Sequence, residues 1–167
     1  SQVNVTGPNG FSQAAALVGT DNDTGASATL RYQVTAPGGT VTLGDGSVVP
    51  RLPGPVRWMW DGEFCGRIGF RWQRGTEALP PTCLGHIGYT VVPWKRRLGY
   101  ATQALAAFLD EVKREGLRYV EISTDPDNLP SQRVITSNGG VLVEEFTTPA
   151  SLGGKRQLRY QIDLSAR

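Results

Sequence analysis

A helical period is sustained at length only once in this chain. Ala101, Ala104, Leu105, Phe108, Leu109 and Val112 fall at i, i+3, i+4, i+7, i+8 and i+11, which predicts one amphipathic helix over Ala101–Glu115. Asp110, Glu111, Lys113 and Arg114 supply its wet side, and Gly116 stands where a helix C-terminal stop belongs. Elsewhere the period is two or the runs are short. Leu158, Tyr160, Ile162 and Leu164 alternate with Gln157, Arg159, Gln161 and Asp163, the mark of a half-buried strand. Arg57–Trp60 and Phe64–Arg71 flank Asp61-Gly62-Glu63 and predict a hairpin. Gly85–Val92, Tyr119–Ser123 and Val141–Phe146 predict further strands. A second helix is predicted from Pro130 to about Ser137, stopping at Asn138-Gly139. From residue 56 the order is β-β-β-α-β-α-β-β, an α/β class with a mixed sheet.

Residues 1–55 are rich in Gly, Pro, Thr and Asp, and their signals are weaker. Phe11–Val18 predicts a short helix with Ser12 as its cap. Thr40–Val49 predicts a hairpin around Asp45-Gly46, and the prolines of Arg51–Pro55 predict a loop. Residues 73–84, with Pro80-Pro81, predict another loop.

Composition narrows the function classes. The chain of 167 residues, 39% hydrophobic, is long enough for one domain with a sizeable core. No run approaches the ~18 apolar residues of a membrane helix. Ser1–Gly10 has no basic segment followed by an apolar run, so no secretion signal is read there. A net charge of +2 is too mild to imply nucleic acid, and no membrane or nucleic-acid partner is expected. Two cysteines, Cys65 and Cys83, and one histidine lack metal-site spacing, so no metal is expected, and the thiols fit a reduced, cytoplasmic compartment.

The chemistry concentrates in Tyr89–Thr102. A strand ends, a short basic loop with one glycine follows, and the long helix begins at once. The first turn of a helix leaves its N–H groups without intrahelical partners, and the dipole adds positive potential there. Gly99 lets backbone approach an anion, Ala101 keeps the entry small, and Thr102 adds a hydroxyl. Lys95, Arg96 and Arg97 add charge. The pattern suits a pyrophosphate. Neither G-x-x-x-x-G-K-[ST] nor G-x-G-x-x-G is present, which sets aside the nucleotide P-loop and the dinucleotide fingerprint.

Arg96-x-x-Gly99-x-Ala101 resembles the [QR]-x-x-G-x-[GA] signature of the GNAT acetyltransferases. Gly85-His86-Ile87-Gly88-Tyr89 looks like that family's fourth strand. Asn128-Leu129-Pro130-Ser131, followed by a helix and Gly139-Gly140, looks like its later helix motif. The resemblance covers residues 56–164 and is nearest to bacterial acetyltransferases carrying such motifs. It implies a GNAT-like, mostly antiparallel twisted sheet flanked by helices. A single domain over 1–167 is expected, atypical in 1–55, where the family's pair of early helices is not legible.

The resemblance also implies an activity: transfer of an acetyl group from acetyl-CoA to a primary amine, by direct attack without a covalent enzyme intermediate. It assigns Val91, Val92, Arg96, Arg97, Leu98, Gly99, Tyr100, Ala101 and Thr102 to the coenzyme, with Asn128 and Ser131 beside its pantetheine arm or acting as plain helix caps. A bulge in the fourth strand would free the N–H of Val91 or Val92 for the thioester carbonyl, as an oxyanion hole does. His86 is the first candidate for the base, against a structural role beside the sheet, with Glu63 and Asp125 behind it. The tyrosine that many members place in the later helix falls on Ile135, so the usual acid is absent; Tyr89 and Tyr100 are nearby. A small-molecule amine is the expected acceptor. Alternatives are an aminoglycoside held by Glu63, Asp125, Glu144 and Glu145, a protein amine, or a non-catalytic acyl-CoA sensor. Homodimers occur among similar proteins, but no interface is legible.

Overall fold

The structure is a computed structural model that describes residues 3–6, 12–21, 29–33 and 39–165. The chain divides into two compact units, Ser1–Gly39 and Thr40–Arg167.

In the first unit β1 (Val3–Thr6), β2 (Ser12–Asp21) and β3 (Thr29–Gln33) form an antiparallel sheet in the order β1-β2-β3. The helix expected over Phe11–Val18 is therefore corrected: Ser12–Val18 lies in β2, and Phe11 lies outside the described residues. A short apolar run does not distinguish helix from strand by itself. Here pairing on both sides decides, Ala15 with Val3 and Leu17 with Tyr32.

The second unit begins with the expected hairpin, β4 (Thr40–Thr42) and β5 (Val48–Pro50). Asp45 Oδ1 accepts from the Ser47 N–H at 2.9 Å and fixes its turn. Two three-stranded antiparallel sheets follow. One has the order β6-β7-β8, from β6 (Val56–Trp60), β7 (Phe64–Phe70) and β8 (Ile87–Val91). The other has the order β10-β11-β9, from β9 (Tyr119–Thr124), β10 (Val141–Thr147) and β11 (Arg156–Asp163). Helix α1 (Tyr100–Lys113) joins the sheets, and α2 (Leu129–Thr136) follows β9. The order predicted from residue 56 is the order observed.

Helix α1 buries Leu105, Phe108, Leu109 and Val112, the centre of its predicted apolar face. They share a core with Ile68, Phe70 and Ile87 of one sheet and Val120, Ile122 and Ile162 of the other. Each such side chain contributes about 1.5–3 kcal/mol by leaving water. No ladder joins β8 to β9. The sheets are tied just before β8 begins, where the His86 N–H donates to the Glu121 carbonyl at 2.7 Å. Beyond that tie, β8 presents an edge left open by the described strands.

Candidate active site

The register of β7 and β8 decides which amides face that edge. Val92 N–H donates to the Cys65 carbonyl at 2.9 Å, and Arg71 N–H to the His86 carbonyl at 2.9 Å. Between them Gly66 pairs with Val91 and Phe70 with Ile87, without a break. Successive residues of an antiparallel strand point their N–H groups to opposite sides. Val92 is thus spent in the ladder, and the Val91 N–H turns to the open edge. The Val91 carbonyl confirms this direction, since it accepts from Arg96 Nε at 3.2 Å. The bulge expected in this strand is not there. The register break lies between β6 and β7, where Met59 pairs with Gly66 and Trp60 with Phe64, leaving Cys65 as the extra residue. Gly66 is required at that point: a Cβ on it would stand 2.2 Å from the Thr90 carbonyl oxygen.

After β8, Pro93–Lys95 makes one 3₁₀ turn, and two left-handed residues bring the chain to α1. Arg97 has φ +65°, alone among the described non-glycine residues, and Gly99 has φ +87° at the N-cap. The first helical bond runs from Gln103 N–H to the Gly99 carbonyl. The N–H groups of Tyr100, Ala101 and Thr102 are therefore without intrahelical acceptors. Those of Arg97, Leu98 and Gly99 have no acceptor among the described residues either. This concentrates main-chain donors at the positive end of a fourteen-residue helix.

The turn between β6 and β7 braces this loop. Asp61 accepts from the Tyr100 hydroxyl, and Lys95 Nζ sits 3.0 Å from Asp61 Oδ2 and 2.8 Å from Glu63 Oε1. The Tyr100 bond, then those of Cys65 and Lys95, hold the Asp61 carboxyl well below its ordinary range. Tyr100 is pushed up to about 12 by that carboxylate, and Glu63 followed by Asp61 holds the Lys95 ammonium above its usual value. Of the three basic residues expected at the phosphates, Lys95 is thus occupied and Arg96 is turned to Val91. Arg97 has no side-chain partner among the described residues.

Across the open edge, Asn128 caps α2 by accepting the Ser131 N–H at 3.2 Å. Ser131 Oγ lies 2.8 Å from the Tyr89 hydroxyl. Burial pushes the Tyr89 phenol up, with the Ser131 bond opposing. Ile135, one turn further along α2, is fully buried in the core. Asn138 Nδ2 donates to the Thr102 carbonyl at 3.2 Å and so ties the end of α2 to the start of α1.

His86 is sealed from solvent, at 0% exposure. Its Nδ1 accepts from the Glu121 N–H at 3.0 Å, and its ring stacks on Phe70 at 6.3 Å. Nε2 has no hydrogen-bond partner within 3.5 Å among the described residues. Desolvation lowers its pKa to about 4, with the Glu77 main chain and carboxylate opposing. The acids weighed beside it are engaged: Glu63 with Lys95, Asp125 with Gln157 Nε2, Glu144 with Arg159 and Glu145 with Arg156. Asp125 and Asn128 also line a cavity of about 680 Å³ with Asp127, Pro130, Lys155 and Arg156. Among the described residues no three His, Cys, Asp or Glu gather as metal ligands. The Asp61 brace and the Tyr89–Ser131 pair were not legible in the sequence. Asp61-Gly62 reads only as a turn, and no spacing rule links position 89 to 131.

This chain belongs to the acetyltransferase (GNAT) domain family, whose pattern matches residues 51–141, more than half of the sequence. Solved structures share the fold. Mycobacterium smegmatis RimJ in complex with CoA-disulfide is 24% identical, with a TM-score of 0.51 over 61% of this chain and 48% of its own. The microcin C7 self-immunity acetyltransferase MccE, in complex with acetyl-CoA and AMP, is 17% identical, with a TM-score of 0.55 over 66% and 61%. A GNAT-family acetyltransferase from Bacillus anthracis is 25% identical, with a TM-score of 0.50 over 60% and 59%. The chain thus spans about half to two thirds of the length of the structures it resembles. No functionally curated protein matches it in sequence.

Proposed function

We propose that this protein is an N-acetyltransferase that uses acetyl-CoA and delivers the acetyl group to a primary amine of a small molecule. One observation carries the reading: the unpartnered amides of Arg97–Thr102 and the outward Val91 N–H lie on one continuous stretch of chain. The first set suits a pyrophosphate, and the second suits a thioester carbonyl. That RimJ and MccE were solved with CoA-disulfide and acetyl-CoA supports the same ligand here.

In this mechanism Arg97 and the helix-end amides hold the diphosphate, while Asn128 and Ser131 border the pantetheine path along β8. Val91 N–H stabilises charge as it grows on the carbonyl oxygen during direct attack by the amine. Tyr89 gives its proton to the departing thiolate. The base is assigned away from His86, whose ring is fully buried. Asp125, beside the cavity, or a water there takes the amine proton. A polycationic acceptor such as an aminoglycoside is disfavoured, because Glu63, Glu144 and Glu145 already carry cationic partners. Cys65 and Cys83 are free thiols, in keeping with a cytoplasmic setting. Ile135 in place of the helix tyrosine favours one second reading, an acyl-CoA sensor without turnover.

Calorimetric titration of acetyl-CoA, with ATP and NAD as controls, tests the site. Micromolar binding of acetyl-CoA alone is expected, and its loss in Gly99→Asp. No binding by the wild type, or equal binding by the variant, would overturn the assignment. Thiol release across a panel of small amines then separates enzyme from sensor, and a peptide panel separates small-molecule from protein acceptors.

A further inference from the structure

The face of the β6-β7-β8 sheet turned away from α1 exposes large side chains. Met59 and Ile68 point into the core, so their strand neighbours point outward. Trp58 and Trp60 are 56% and 65% exposed. Phe64 meets Trp58 edge-on at 5.9 Å between ring centres. The register sets Trp58 beside Arg67 and Arg67 beside Thr90, one row across all three strands. In the next row the Arg71 guanidinium lies over Gly88, with Nη2 2.7 Å from where a Cβ would be. Neither the Arg67 nor the Arg71 guanidinium has a carboxylate or hydrogen-bond partner among the described residues.

This is more than an uncovered apolar face. An apolar cover, from this chain or a second copy, would strip water from two unpaired guanidinium groups, a costly step. A partner with planar rings and a negative backbone satisfies both features at once. Aromatic side chains on a sheet accept stacked bases of any sequence, and the arginines between them accept phosphates. The strand pattern alone gave no sign of this, because Trp58 and Arg67 become neighbours only through the register. We infer that this face binds single-stranded nucleic acid, with bases stacked on Trp58 and Trp60 and phosphates held by Arg67 and Arg71. The inference does not depend on the acetyl-CoA site.

Fluorescence anisotropy of the full chain with a labelled single strand of about 12 nucleotides, RNA and DNA in turn, tests it. Binding is expected at low salt. Trp58→Ala should weaken it at least about fivefold, the lower bound for one lost base stack. Arg67→Ala with Arg71→Ala should flatten the slope of log K against log salt by about 0.7 per arginine. All three residues are exposed, so thermal midpoints should match the wild type. Saturating acetyl-CoA should leave the strand bound. The inference fails if no strand binds, which is also the result if another part of the chain or a second copy covers the face. It fails equally if both variants bind as the wild type does, or if acetyl-CoA displaces the strand, since the Arg96-Arg97 loop would then be the binding site.

Discussion

The phenolic oxygen of Tyr89 stands 2.8 Å from Ser131 Oγ and so bridges β8 to the first turn of α2. Val91, whose N–H faces the open edge, is two residues further along the same strand. The hydroxyl therefore reaches the helix one turn before Ile135, from the strand side, where a side chain at position 135 is lost to the core.

If Tyr89 protonates the leaving thiolate, Tyr89→Phe should lower kcat by ~10²–10⁴ and leave acetyl-CoA affinity unchanged. The pH profile adds a second readout. Burial raises the Tyr89 phenol, so it keeps its proton through neutral pH and the wild-type rate falls only in the alkaline range. That alkaline limb should vanish in the Phe variant. Full activity with the limb intact would assign the donor to water.

The brace on Asp61 makes a different claim, about binding. Asp61→Ala releases Tyr100, leaves Lys95 held by Glu63 alone, and loosens the loop that carries the helix-end amides. Acetyl-CoA affinity should fall while kcat at saturation changes little. Asp61 is held below its ordinary range, so the brace is fully formed above the unfolded carboxyl pKa near ~3.8 and is lost as pH falls through the folded value. Affinity measured from pH 5 to 8 should show no inflection from this group.

His86 should report on stability rather than on catalysis. Its folded pKa is about 4, against about 6.5 when unfolded. The unfolded chain then binds the extra proton between those values, so stability drops as pH falls from about 6.5 to about 4. The full effect is on the order of 3 kcal/mol. Urea unfolding at pH 7 and pH 5 should show the loss in the wild type and not in His86→Ala. That variant should also be less stable at pH 7, because the Glu121 N–H loses its acceptor. Its rate per folded molecule should match the wild type; a drop of ~10² or more would return the base to His86.

The contrast between His86 and Gly99 shows what was legible in the sequence. The place of Gly99 at the start of α1 was legible because it is local: a strand end, one glycine and a long amphipathic helix specify a donor-rich helix terminus without long-range information. The strands and helices after residue 56 were legible for the same reason, each carrying its own period and punctuation. His86 differs because burial is a property of what packs on it. Phe70 and Glu121 come from distant segments, so a lone histidine beside a strand reads equally as base or as core. Ser12–Val18 failed similarly, since pairing with β1 and β3 overrode an alanine-rich run with good helix propensity. The break at Cys65 is a matter of register between β6 and β7, and no residue pattern announces it.

That break yields the most direct structural test. Gly66 follows Cys65, and a Cβ there would meet the Thr90 carbonyl oxygen at 2.2 Å and the Val91 Cα at 3.0 Å. Both contacts are backbone, so neither can rotate away. Gly66→Ala must therefore push β8 off β7 at the point where Val92 donates to Cys65. Two consequences should appear together. Unfolding free energy should fall by about 1–3 kcal/mol, the usual range for overpacking. Acetyl transfer should fall further than acetyl-CoA affinity, because Val91 and its outward N–H move while the helix-end amides stay in place. Gly99→Ala provides the opposite control: its strain lies at φ +87° in the loop, so affinity should fall first. Equal losses of rate and affinity in the Gly66 variant would show that Val91 plays no separate part at the thioester.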